Sequence, residues 1–190
     1  MKNNNGESKL EKTAREGAFG STEFKKGEKN RFLGEYEERV IAYLTEKQIK
    51  ETALYPEIKD ALNNKEANKL IIRGDIDRKY ISDYIKWARD KGVRFNRKNS
   101  PEFRGNVALA VAGKDAVSQQ FGQIPEREEK LQKKGLSDNI IENAGSLLCS
   151  SCWKELMEKA PEEKINYRKA GIFDKLTGTA CIGCKKNNYD

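Results

Sequence analysis

From about residue 31 the chain alternates short apolar runs with stretches of helical period. Arg39-Val-Ile-Ala-Tyr-Leu44 is β-branched and aromatic and predicts a first strand. Thr45 follows as a helix N-cap, with Gln48 three positions on as in a capping box. Ile49, Ala53, Ile58, Ala61 and Leu62 then recur at helical spacing, and Pro56 should kink that pattern or restart it as a second short helix. Lys69-Leu-Ile-Ile72 is a continuous apolar run, as in a strand covered on both faces. Asp77 caps the clearest helix, in which Ile81, Tyr84, Ile85 and Ala88 form one stripe and Gly92 stands just past the end. Val93-Arg-Phe-Asn96 and Asn106-Val-Ala-Leu-Ala-Val-Ala112 predict two more strands, with a short helix around 115–121. Helices alternating with buried strands imply an α/β fold. The expectation is a four-stranded mixed sheet in the order β-α-β-α-β-β, with helices on its faces.

The flanks differ from this middle. Residues 1–30 hold only Leu10, Phe19 and Phe24 as sizeable apolar groups, too few to offset the cost of ordering, so a mobile arm is expected. Its segment 12–24 can dock on the domain as a clasp. Residues 31–124 form the α/β domain. Residues 125–136 read as a charged linker helix with Leu131 alone to bury, and 137–190 as a helical tail. Ser137 caps one tail helix, Trp153, Leu156, Met157 and Ala160 mark another, and Pro161 opens a third. Such a tail is small for a core of its own, which is where a bound metal supplies what burial cannot.

Charge sharpens this division. Lys and Arg outnumber Asp and Glu by 18 to 14 over residues 31–125, but only by 12 to 11 over 126–190. Any polyanion contact is therefore expected in the α/β domain rather than the tail. The 190 residues include no histidine, which removes the commonest general base and all mixed Cys/His metal sites. No apolar run reaches the roughly 20 residues of a membrane helix, and the opening residues carry no apolar secretion segment. A cytoplasmic protein without a membrane partner is expected, and there paired cysteines more often hold metal than form disulfides.

The four cysteines form two C-x-x-C pairs, Cys149/Cys152 and Cys181/Cys184, separated by 28 residues. Paired thiolates at such spacing suit one tetrahedral ion, and structural Zn2+ is the expected cofactor. Iron held by four thiolates is the alternative. A thioredoxin-type redox motif would sit after a strand of the sheet and would leave the second pair unexplained.

The other candidates are binding surfaces. Lys86, Arg89, Lys91, Arg94, Arg97 and Lys98 lie in one short stretch with Asp90 as the sole acid, and Arg104 extends it. That points to RNA or the ribosome as a partner, against the plainer reading of a solvated helix face. Trp87 within it reads as partial core rather than a stacking platform. A second reading is a protein–protein adaptor with an apolar patch around Trp153, Leu156 and Phe173. A third is a small-molecule or phosphate-using enzyme at the strand ends, built from Asp75, Lys114 and Asp115. Gly113-Lys114 lacks the rest of a P-loop, so its glycine reads as a tight turn. A non-enzymatic binding protein is the leading expectation.

Three stretches carry a family resemblance: Arg31-Phe-Leu-Gly-Glu-Tyr-Glu-Glu-Arg-Val40, Asn68-Lys-Leu-Ile-Ile-Arg-Gly-Asp75 and Ala112-Gly-Lys-Asp-Ala-Val117. They resemble the YueI-like family, small Gram-positive bacterial proteins of unknown function, over about residues 15–120. The resemblance implies a mixed-sheet fold similar to ribosomal proteins and archaeal kink-turn binders. Residues 68–96 look like the strand–helix–strand unit of those binders. The Gly-rich Asn-Glu signature that kink-turn binders place after their first strand is replaced here by Tyr43-Leu-Thr-Glu-Lys-Gln48. The likeness therefore extends to fold and not to that specific recognition.

Overall fold

The most apolar segment takes the centre of the sheet. In the computed structural model, which describes residues 26–103, 105–171, 173–174 and 181–184, all seven residues of Val107–Gly113 are buried. This strand, β4, lies between β1 (Val40–Thr45) and β2 (Ala67–Arg73) and is antiparallel to both. β3 (Arg94–Lys98) pairs parallel to β2 at one edge. Between β1 and β2 run α1 (Glu46–Ile49) and α2 (Pro56–Asn63), and α3 (Arg78–Asp90) connects β2 to β3. The Thr45 capping box forms as its sequence predicts, and Pro56 restarts the helical pattern at the first residue of α2. Asp77 caps α3 through the Lys79 N–H, and Gly92 takes φ +69° just past its end.

Among the described residues the main sheet has five strands, not the four expected from the sequence. Gly122–Gln123 forms β5, parallel to β1, and the order is β3-β2-β4-β1-β5. The helix expected at 115–121 does not form. Its residues follow the open edge of β1, where Val117, Phe121 and Ile124 donate N–H groups to the carbonyls of Glu38, Ile41 and Tyr43. Those carbonyls need partners, and the N–H groups of this stretch supply them.

One face of the sheet packs on α2 and α3 through Leu44, Leu70, Ile72, Leu109, Ile58, Ile81 and Tyr84. The Tyr84 hydroxyl accepts the Tyr55 N–H at 3.0 Å, so a fully buried ring carries no orphaned oxygen. The other face meets Phe32 and Leu33, delivered by a turn in which Leu33 and Gly34 have φ +56° and +87°. That turn also buries the Glu35 carboxylate between Lys69 (2.8 Å) and Lys98 (2.9 Å). Burial opposes its ionisation, but the two ammonium groups prevail and hold the carboxyl below its usual range.

The tail has α4 (Arg127–Lys133), α5 (Asp138–Ile141), α6 (Ser150–Lys159) and a 3-10 segment Pro161–Asn166. A two-stranded parallel pair, β6 (Leu147–Leu148) with β7 (Arg168–Lys169), adds strands that the helical reading of the tail lacked. Leu131, Ile140, Leu148, Leu156 and Tyr167 close a separate small core.

The tail docks on the helix layer rather than on the sheet. The Asn166 amide accepts the Leu54 N–H at 2.7 Å and donates to the Leu54 carbonyl at 2.8 Å. Lys130 bridges Glu57 (2.6 Å) and Glu163 (3.1 Å). Residues 1–25, including the clasp segment 12–24, fall outside the described residues, as does Arg104.

Candidate metal centre

Cys149 follows β6 directly and is the N-cap of α6, which places Cys152 in that helix's first turn. Cys181 and Cys184 come from a separate turn, 181–184. The four sulfur atoms lie within 4.8 Å of one another. Cys149 Sγ and Cys184 Sγ are 3.7 Å apart. A tetrahedral ion with metal–sulfur bonds of about 2.3 Å would hold its sulfurs about 3.8 Å from each other. The cluster is therefore compatible with a metal site, and the donor set is wholly thiol.

The surroundings fix these side chains. Cys149, Cys152 and Cys181 are buried in the tail core and Cys184 is half-buried. The Cys149 N–H points at Cys181 Sγ at 3.2 Å. Gly183 packs closely: a Cβ there would stand 3.0 Å from Cys152 Sγ and 3.1 Å from Ile140 Cγ1, tighter than ordinary contact. Burial pushes the Cys152 thiol well above its ordinary range. Cys181 is also buried, yet the N–H groups of Cys149 and Cys184 outweigh that and bring it down to about 7. Backbone N–H groups aimed at a sulfur favour the thiolate that a metal ion takes.

The members of the basic stretch differ in their partners. Arg97 donates to the carbonyls of Gly74 (2.6 Å) and Ile76 (2.7 Å), tying β3 to the end of β2. Lys98 is committed to Glu35. Lys86, Arg89, Lys91 and Arg94 are exposed and make no ion pair among the described residues. Trp87 packs edge-on against Tyr84, with ring centres 5.3 Å apart, and carries Lys59 over its face.

The strand-end trio is divided. Asp75 pairs with Arg73 at 2.7 Å beside a cavity of about 490 Å³, while Lys114 and Asp115 line a different one of about 290 Å³. Because β2 and β4 are antiparallel, these two places lie at opposite ends of the sheet. In the tail, Leu156 is fully buried, Trp153 is half-buried and Phe173 is 83% exposed.

A buried polar network escaped the sequence reading. Arg127, only 5% exposed, donates to Glu163 Oε2 at 2.8 Å, the Ile141 carbonyl at 2.7 Å and the Tyr167 hydroxyl at 2.6 Å. Its signal is present in the chain. Arg127, Lys130 and Leu131 fall at i, i+3 and i+4, so the one apolar residue of α4 marks a buried face that the two cations share.

Comparison with known proteins places the α/β part. The family described as "Protein of unknown function (DUF1694)" matches residues 7–121. The chain belongs to this family. It is 30% identical over 115 residues to the uncharacterized protein YueI of Bacillus subtilis (strain 168), covering 60% of this chain and 87% of the relative. The crystal structure of the Bacillus subtilis YueI protein matches with a TM-score of 0.51 and 29% identity, over 54% of this chain and 80% of that one. The family match ends before Cys149, so the cysteine cluster lies outside it.

Proposed function

We propose that this protein is a non-enzymatic, cytoplasmic binding protein whose tail is held together by one structural Zn2+ on Cys149, Cys152, Cys181 and Cys184. The observation that carries this is the convergence of four sulfurs within 4.8 Å from two separate segments. Two C-x-x-C pairs on a helix start and a tight turn are what a closed four-thiolate site requires, and a closed site leaves no position for a substrate. The ion supplies tail stability rather than chemistry. Metal analysis of the purified full chain should find about one zinc per molecule. Stripping it under reducing conditions should expose the tail to protease while the sheet stays folded. Iron in place of zinc, or a metal-free chain with the same stability, would overturn the assignment.

RNA is the partner class we infer for the α/β domain. Lys86, Arg89, Lys91 and Arg94 favour it, since exposed cations with no acidic partner among the described residues release counterions when they meet phosphate. The likeness of residues 68–96 to kink-turn binders adds support. Replacing these four residues with Glu should weaken association with single-stranded RNA. The slope of log K against log salt should flatten by about 0.7 for each phosphate that is no longer neutralised. If the unaltered chain retains no RNA at low salt, the partner is of another kind, and a protein adaptor role is tested next by capture on the tail.

A further inference from the structure

We propose that Cys184 is a hydroperoxide-reactive thiol, that Cys149 is its resolving partner, and that their oxidation expels the metal while leaving the tail tied. The inference rests on the zinc reading above and adds a modification site to it.

The donor set comes first. With no histidine in the chain and no carboxylate in the cluster, every bond to the ion is a bond to an oxidisable sulfur. Accessibility then separates the four. Cys181 is 0%, Cys149 3% and Cys152 6% exposed, whereas Cys184 is half-buried at the end of its turn. A small peroxide therefore meets Cys184 first. The Cys149 sulfur stands 3.7 Å from it and belongs to the other C-x-x-C pair. A bond between these two replaces the ion's link between the 181–184 turn and the β6–α6 junction with a covalent one.

The chemistry balances with a hydroperoxide as oxidant. The Cys184 thiolate attacks the terminal peroxide oxygen, an S–O bond forms, the O–O bond breaks, and the alcohol or water leaves after taking a proton. The Cys149 thiolate then attacks the sulfenic sulfur, an S–S bond forms, and hydroxide leaves as water with a second proton. Two sulfurs have lost one electron each and the peroxide has gained both. The ion keeps only Cys152 and Cys181, which cannot close a tetrahedral site, and it dissociates. A thiol reductant together with zinc reverses the change.

Zinc content of the purified full chain is measured first, and its absence there refutes the zinc reading before any oxidant is added. The zinc-loaded protein is then treated with hydrogen peroxide. Metal release is followed with a chromogenic chelator, and disulfides are mapped on non-reduced peptides. Release in step with a Cys149–Cys184 linkage, with residues 126–171 still resistant to protease, is the expected result. Chelation of the reduced protein should instead leave those residues cleavable. Zinc retained under peroxide overturns the proposal, as does a disulfide confined within either C-x-x-C pair. Cys184→Ser should slow release severalfold if it still loads zinc. If it does not load, the peptide map of the unaltered chain decides.

Discussion

Replacing Arg127 with Met tests whether the tail is held by its buried charge network. Arg127 is 5% exposed and Glu163 is 0% exposed, and three of the arginine's donors meet Glu163, the Ile141 carbonyl and the Tyr167 hydroxyl. Methionine fills similar space but leaves Glu163 without its closest cation. Removing one partner of a buried ion pair costs about 3–5 kcal/mol, because the remaining charge stays out of water. Lys130 still reaches Glu163 Oε1 at 3.1 Å and Asn166 still donates to Oε2 at 2.9 Å. Both soften the loss, so the expected cost is the lower end, about 3 kcal/mol. Urea unfolding measures it, and hydrogen exchange locates it.

Amides of α4 to α6 should lose protection while those of β1, β2 and β4 keep theirs, since the network lies within the tail and its seam. Adding Glu163→Gln should recover part of the loss, with a coupling of about 1–3 kcal/mol between the two positions. A cost under about 1 kcal/mol would refute the reasoning, because a buried carboxylate that has lost its closest cation cannot be that cheap even with Lys130 remaining. A loss of protection shared equally by the sheet would refute it differently, by showing that tail and domain unfold as one unit.

Two further outcomes follow from local geometry. Gly183→Ala should force the 181–184 turn away from Cys152 Sγ and Ile140, which its Cβ would approach to 3.0 and 3.1 Å. Overpacking of this kind costs about 1–3 kcal/mol, and about 1.4 kcal/mol is a tenfold change in affinity. Zinc affinity by chelator competition should fall about tenfold or more, and an unchanged value would mean that the turn does not pack as described. On acidification, the Lys50 and Arg73 partners of Glu46 hold its carboxyl down to about 2, and Lys69 and Lys98 hold Glu35 low against its burial. Carboxyls lowered in the folded state stabilise it above their unfolded value of about 4.3. That contribution is lost as pH falls from there towards about 2. Glu46 is well exposed, so its share is screened. The urea midpoint should hold from about pH 7 to about 4.5 and then drop, and Glu35→Gln should flatten the drop.

Local signals in the chain reached as far as local physics allows. The Thr45–Gln48 box, the Asp77 cap and the apolar runs at 69–72 and 106–112 depend on neighbours a few residues away, and each element forms where it was expected. β5 was not legible because its cause is remote. Gly122 and Gln123 have little strand character and pair only because β1 offers an open edge 80 residues earlier. The cysteine spacing announced the cluster, since few other arrangements satisfy two C-x-x-C pairs without histidine. Charge in the sequence did not show which cations are held by partners within the fold. Arg97 and Lys98 read as patch members, yet one ties two strands and the other neutralises Glu35. The charge run at 126–134 likewise hid a buried arginine.

The relation between family and tail can be argued from lengths and contacts together. The YueI relative is matched over 115 residues that make up 87% of it, so it is about 132 residues long (115/0.87), with room for fewer than 20 more. It cannot contain a counterpart of residues 126–190 as well. Its crystal structure shares the fold of the matched part, so in that relative the fold forms without such a tail. The contacts agree. The polar contacts that join the tail to the domain include the Leu54 main chain with Asn166, Glu57 with Lys130 and Lys47 with Glu126. Polar joins of this kind are the ones a relative without the tail would lack. Whatever the family does is therefore assigned to the sheet and its helices. What the cysteine cluster does is assigned to the tail, and stripping the zinc proposed there should abolish only the second.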